Sequence, residues 1–161
     1  AVAIKLDSPG PVFFRQPRMS WNGKTFRIWK FRSMYVHPVE ADKVQQATKN
    51  DPRITKVGGF LRKTSLDELP QLFNILLGDM SIVGPRPDVP AQQKLYQPQD
   101  WNKRHQVRPG LTGLAQVKRR LESGHAPRLA LDLEYVDRHS FIGDLIIILQ
   151  TAWQVVSKGG N

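Results

Sequence analysis

Ser65-Leu66-Asp67-Glu68-Leu69-Pro70-Gln71-Leu72-Phe73-Asn74-Ile75-Leu76-Leu77-Gly78-Asp79 is the stretch whose reading sets the fold class. Its Ser-x-x-Glu opening fits a capping box, where serine and glutamate side chains satisfy first-turn amides. Leu69, Leu72, Phe73, Leu76 and Leu77 follow at helical spacing and share one face. Pro70 is tolerated near a helix start, and Gly78-Asp79 ends the run. The spacing therefore predicts an amphipathic helix with two adjacent carboxylates in its first turn.

Upstream, Ile54, Val57 and Leu61 recur at helical spacing beside Arg53, Lys56, Arg62 and Lys63. They predict a short helix with a basic face, interrupted at Gly58-Gly59. Residues 33–52 read as a polar loop with at most one short helix. Before it, Val12-Phe13-Phe14 and Phe26-Arg27-Ile28-Trp29 flank Asn22-Gly23. Both turn residues tolerate positive φ, so a β-hairpin is expected over residues 12–31.

Downstream, Ser81-Ile82-Val83 is a short extended run ending in the rigid Gly84-Pro85-Arg86-Pro87 turn. Residues 91–106 read as partly helical and residues 107–116 as a loop. Residues 127–140 predict a helix with Leu129, Leu133 and Val136 inward. Leu145, Ile148, Leu149, Ala152, Val155 and Val156 then form an apolar stripe that suits a core helix or a membrane-interface helix equally. The expected fold is α+β: one mainly helical domain over residues 1–161, with a small β-hairpin near the N-terminus and amphipathic membrane-interface helices.

The 161 residues carry 24 basic and 14 acidic side chains, a formal net charge of +10. The charge is uneven. Residues 1–65 hold 13 basic and 4 acidic groups, and residues 66–161 hold 11 and 10. A basic half of this kind implies an anionic partner: nucleic acid, an anionic membrane surface or a phosphorylated substrate. Cysteine is absent, which removes disulfides, thiol nucleophiles and thiolate metal sites. The longest purely aliphatic run, Leu145 to Leu149, is far short of the roughly 20 residues a spanning helix needs.

Asp67-Glu68 is the first candidate for chemistry. Two carboxylates about 5 Å apart repel by about 3 kcal/mol at an effective dielectric of 20. They stay charged together only beside a divalent ion or arginine; otherwise they serve as first-turn helix acids. Arg86 is the second, since prolines on both sides stiffen its backbone and suit bidentate phosphate contact. Lys30-Phe31-Arg32-Ser33-Met34 places two cations and a hydroxyl at the end of the hairpin. No phosphate-loop or dinucleotide fingerprint is present. His37, His105, His125 and His139 lack metal-ligand spacing and read as surface or capping residues.

Six ordered motifs, read together, resemble the bacterial sugar transferase family of monotopic polyprenyl-phosphate phosphoglycosyl transferases. They are Ser8-Pro9-Gly10-Pro11, Lys30 to Met34, Thr64 to Gln71, Gly78 to Pro87, Val107 to Gly113 and Asp132 to Val136. The resemblance covers nearly the whole chain. It implies transfer of a sugar-1-phosphate from a UDP-sugar donor to undecaprenyl phosphate with release of UMP. This is the first membrane step of exopolysaccharide, capsule or O-antigen synthesis. It further implies Asp67 as nucleophile, Glu68 as ligand of Mg2+, and Lys30, Arg62 and Arg86 as phosphate-binding cations. Glucose or galactose is the sugar suggested by similarity to exopolysaccharide starters.

Two positions depart from the family pattern. Leu114 stands where many members carry Trp, and Lys118-Arg119 where many carry Asn-Gly. Family members also begin with a hydrophobic re-entrant helix; residues 1–6 resemble the tail of the segment after it, so that helix is expected upstream. The resemblance places the protein on the cytoplasmic face of the bacterial inner membrane, against an anionic surface, with a homo-oligomer possible and no nucleic acid. The rival reading is a basic nucleic-acid-binding module without catalysis, which no recognised DNA- or RNA-binding motif supports.

Overall fold

The computed structural model describes residues 1–36, 48, 51–118 and 125–158. Most of the expected loop over residues 33–52 lies outside them, as do His37 and Arg119. The hairpin forms as expected. Phe13–Met19 (β1) and Thr25–Phe31 (β2) pair antiparallel, from Phe13↔Phe31 to Met19↔Thr25. The connection holds Asn22 at φ 53 and Gly23 at φ 71, the left-handed conformations that this residue pair accepts. Phe26 and Ile28 alternate onto one face and bury against Met80, with Ile75 beside them. The same alternation carries Lys30 to the end of that face.

The chain before the hairpin opens with a short helix, Val2–Asp7 (α1). Arg32 fastens it down. This buried guanidinium donates to the Ser8 hydroxyl and to the carbonyls of Ile4, Ser8 and Pro11. A buried cation surrounded by carbonyl acceptors is hydrogen-bonded on most of its edge, which is what makes its burial tolerable.

Lys56–Lys63 (α2) runs straight through Gly58-Gly59, contrary to the expected interruption. Thr55 caps it, its hydroxyl accepting from the Gly58 amide at 2.9 Å. The two glycines have different reasons to be there. A Cβ on Gly58 would fall on the Ser33 carbonyl, whereas one on Gly59 meets nothing nearer than Ile54 Cγ2 at 3.9 Å. Gly58→Ala should therefore destabilise the fold by about 1–3 kcal/mol through overpacking. Gly59→Ala should be neutral or stabilising, since alanine is the better helix former. Thermal melts of the two variants check this; equal melting points would show that the Ser33 contact is not a constraint.

The decisive stretch differs from its sequence reading. Ser65 sits in the left-handed region (φ 57, ψ 15) and makes no side-chain cap, so no capping box forms. Leu66–Glu68 is a single 3-10 turn, and the α-helix starts only after Pro70, as Gln71–Leu76 (α3). The left-handed residue turns the chain so that both acids point inward and the leucines outward. Leu72, Phe73, Leu76 and Leu77 are 47%, 59%, 82% and 73% exposed. Asn74, on the opposite side of α3, is buried and holds the helix to the hairpin. It accepts from the Trp29 amide and donates to the Arg27 carbonyl, both at 3.0 Å.

Ser81–Val83 (β3) pairs in parallel with Gly110–Thr112 (β4). The span expected to be a loop at 107–116 thus contains a strand and the start of Leu114–Lys118 (α5). Pro98–Arg104 (α4) and His125–Arg138 (α6) follow the expected helical segments. Phe141–Lys158 (α7) is the last described element. Val83, Tyr135 and Ile147 form the second core cluster, with Val107, Leu114, Val117 and Ile148 around it.

α7 is rotated relative to the expected stripe. Ile147 is buried, and Thr151 and Gln154 turn toward the protein, while Leu145, Leu149, Trp153 and Val156 face outward. Among the described residues, fourteen polar or charged side chains are buried against twelve hydrophobic ones. The interior is accordingly held by hydrogen-bonded polar groups as much as by apolar burial. No helix among the described residues is long and apolar enough to cross a membrane.

Candidate active site

Three elements converge on one carboxylate oxygen. β2 delivers Lys30, the 3-10 turn delivers Glu68, and the Pro-flanked turn after β3 delivers Arg86. Lys30 Nζ donates to Glu68 Oε1 at 2.7 Å, and Arg86 Nη2 donates to the same oxygen at 2.6 Å. Burial works against ionising Glu68, but Arg86 and Lys30 overcome it and hold the carboxyl well below the usual range. Burial and the neighbouring Arg86 together lower the pKa of Lys30.

Asp67 is its neighbour in sequence and its opposite in chemistry. It is as deeply buried, 8% exposed like Glu68, yet its carboxylate accepts no hydrogen bond from a described residue. Burial raises its pKa; Lys30, Arg62 and Arg86 act through space to pull it back, and Glu68 pushes it up. A carboxylate that is desolvated but unpaired is a stronger base and nucleophile than one tied in a salt bridge. Arg62, in the last turn of α2, is half-buried on the Asp67 side.

All five expected site residues thus share one electrostatic neighbourhood: Lys30 and Arg86 bonded to Glu68, and Arg62 acting through space on Asp67. Arg32, Ser33 and Met34 of the quoted motif are not part of it. They tie β2 to α1, to Thr55 and to Ile54. His105 is buried instead of superficial, its Nδ1 2.7 Å from the Trp101 carbonyl, and burial lowers its pKa.

The support of Arg86 escapes sequence reading. All three carbonyls of Pro85-Arg86-Pro87 are occupied: Gly110 N donates to Pro85 O at 2.9 Å and Arg18 Nη1 to Pro87 O at 2.9 Å. Arg104 Nη2 and Arg128 Nη2 donate to Arg86 O at 2.6 and 3.1 Å. Arg104 is itself buried between Asp88 and Asp132, with Arg128 reaching both acids and the Tyr96 hydroxyl donating to Asp88. Two signals in the sequence touched this network: the Asp132 to Val136 motif, and the i,i+4 spacing of Arg128 and Asp132 on a predicted helix. Nothing local announced Arg104.

Among the described residues, no group of three or more carboxylate or imidazole ligands gathers as a protein-only metal cage. The donor set instead fits magnesium, which is commonly held by one or two carboxylates with substrate phosphates and water completing the shell. Asp67 and the second oxygen of Glu68 are the available donors.

Comparison with known proteins gives the family. The family model described as bacterial sugar transferase matches residues 1–158. A UDP-glucose:undecaprenyl-phosphate glucose-1-phosphate transferase of Xanthomonas campestris pv. campestris is 48% identical over 167 residues, covering 98% of this chain and 34% of its own length. A protein of the same name from Escherichia coli (strain K12) is 48% identical over 96% of the chain and 34% of its own length. The exopolysaccharide production protein PSS of Rhizobium leguminosarum bv. phaseoli is 44% identical over 99% of the chain and 84% of its own length. The chain spans about a third of the length of the first two. With all but its last three residues matched by the family model, the chain belongs to the bacterial sugar transferases.

Proposed function

We propose that the protein is a phosphoglycosyl transferase that moves glucose-1-phosphate from UDP-glucose to undecaprenyl phosphate, releasing UMP. The observation that carries this reading is the buried, unbonded Asp67 carboxylate beside a Glu68 held by two cations. The named relatives support the donor and acceptor.

An oxygen of Asp67 attacks the phosphorus attached to the sugar. The phosphoanhydride bond breaks and UMP departs with the bridging oxygen, leaving a sugar-phosphate on the Asp67 carboxylate. An oxygen of the acceptor phosphate then attacks the same phosphorus and the Asp67 carboxylate leaves. Lys30, Arg62 and Arg86 balance the phosphate charge that would otherwise repel an anionic nucleophile. Magnesium, held by Glu68 with Asp67 adjacent, would supply Lewis-acid charge stabilisation to the phosphates. The exposed apolar rows of α3 and α7 rest on the cytoplasmic leaflet, and the basic N-terminal half faces its anionic headgroups.

Incubation with UDP-glucose and no acceptor tests the two-step scheme. UMP should appear up to about one equivalent per active site, with a sugar-phosphate adduct on Asp67 in the mass spectrum. Release of UDP, or UMP only after acceptor is added, would overturn it.

Arg86→Lys separates charge from geometry. The single-point ammonium cannot hold Glu68 and a phosphate oxygen from one planar fork, so kcat/KM should fall by about tenfold or more despite equal charge. Unchanged kinetics would reduce Arg86 to a source of positive potential.

A further inference from the structure

A cavity of about 490 Å3 opens beside the catalytic cluster, with Glu68 and Arg86 at one end and α7 along its length. Ile82, Leu111, Ile148, Ala152 and Val155 supply its walls. Apart from Ser65, beside Glu68, the polar side chains around it are turned away or already engaged. Thr112 and Thr151 hydrogen-bond each other at 2.6 Å, and Thr151 also donates to the Ile147 carbonyl. Gln154 donates to the Val117 carbonyl at 2.8 Å. Both amide atoms of Gln116 are sealed from solvent, without a hydrogen-bond partner among the described residues. Away from the Glu68–Arg86 end, the wall offers a ligand apolar contact and little to read a base or a sugar hydroxyl.

A nucleoside or sugar in that space would surrender its hydrogen bonds to water without replacement, which is costly. A hydrocarbon would lose nothing and gain burial. The cavity also borders apolar surface that continues outward through Leu69, Ile82 and Leu149, each about half exposed or more. We propose that this cavity holds the first isoprene units of a long-chain prenyl phosphate, its phosphate at Arg86 and its tail running out along α7. The assignment rests on the acceptor chemistry proposed above. The acceptor phosphate takes the place that UMP vacates, opposite the departing Asp67 oxygen, and its tail runs off toward β3–β4 and α7. The tail's remaining length continues over the outward apolar face.

Two measurements on the protein in phospholipid nanodiscs test it. Ala152 is exposed on α7, so Ala152→Phe fills the cavity without entering a core cluster. This variant should raise KM for undecaprenyl phosphate about tenfold or more, leave the acceptor-free UMP burst from UDP-glucose unchanged, and melt like the unsubstituted protein. A burst needing about tenfold more UDP-glucose with acceptor KM retained would assign the cavity to the donor, and no change in either would show it idle; both overturn the proposal. The second measurement needs no turnover. A benzophenone-bearing prenyl phosphate should photolabel residues 148–155, and undecaprenyl phosphate should compete the label away. Labelling elsewhere, or label that does not compete, overturns the proposal. A protein inactive on every UDP-sugar but labelled there would sink the donor reading alone.

Discussion

Asp67→Asn should lower turnover by about a thousandfold or more while leaving the melting temperature nearly unchanged. The amide cannot form the mixed anhydride with phosphate, and losing a nucleophile removes most of the chemistry it organises. Folding should survive because the native carboxylate makes no hydrogen bond that the amide would break. Burial holds the Asp67 proton more tightly than in water, so ionising it in the folded protein costs stability at neutral pH. The variant removes that cost and should be no less stable. The same shift moves the acid limb of kcat/KM above the ordinary Asp value of 3.8, with activity falling as pH drops through it. UMP release followed against pH, beside a thermal melt, checks both parts. Wild-type turnover in the variant would remove Asp67 from the mechanism.

The second large effect is on stability and lies away from the reacting atoms. Arg104→Met should cost about 3–5 kcal/mol, because it leaves two buried carboxylates, Asp88 and Asp132, with the partly exposed Arg128 as their one remaining cation. Both acids are at most 2% exposed, so water cannot take over the lost contacts. Against a typical total of about 5–15 kcal/mol, that lowers the melting temperature by about 6–20 °C. Lys103→Ala is the control one residue earlier. Lys103 pairs with Asp137 at 2.8 Å, but both side chains are well exposed, and its loss should change stability by less than about 1 kcal/mol. Similar melting points for the two variants would mean that the buried network contributes no more than a surface pair.

Particular residues show how far sequence reasoning reached. The hairpin was legible because Asn22-Gly23 is a local signal whose conformational demand is met locally. Gly58 misled because helix propensity weighs a glycine against solvent, whereas this one answers to a carbonyl 25 residues away in sequence. Leu69 to Leu77 gave a correct apolar periodicity but no statement of what covers it. Periodicity reports that residues share a face, and the left-handed Ser65 decided that the shared face turns outward. Asp67 and Glu68 were legible as an acid pair, yet their division into one bonded and one unbonded carboxylate depends on Lys30 and Arg86 arriving from distant segments. Arg104 was illegible for the same reason, since all its partners are non-local.

The three pinned carbonyls of Pro85-Arg86-Pro87 bear on the order of events during synthesis. Arg86 is aligned in part by Arg128, which lies 42 residues further along the chain. Arg128 is held by Asp88 and Asp132, and Asp132 sits midway through α6. A nascent chain that has exposed Asp67, Glu68 and Arg86 therefore owns these groups of the proposed site but not their alignment. Domains fold as units as the chain emerges from its N-terminal end. An aligned site should then arrive late and abruptly, when α6 docks, and an unfinished chain should lack it.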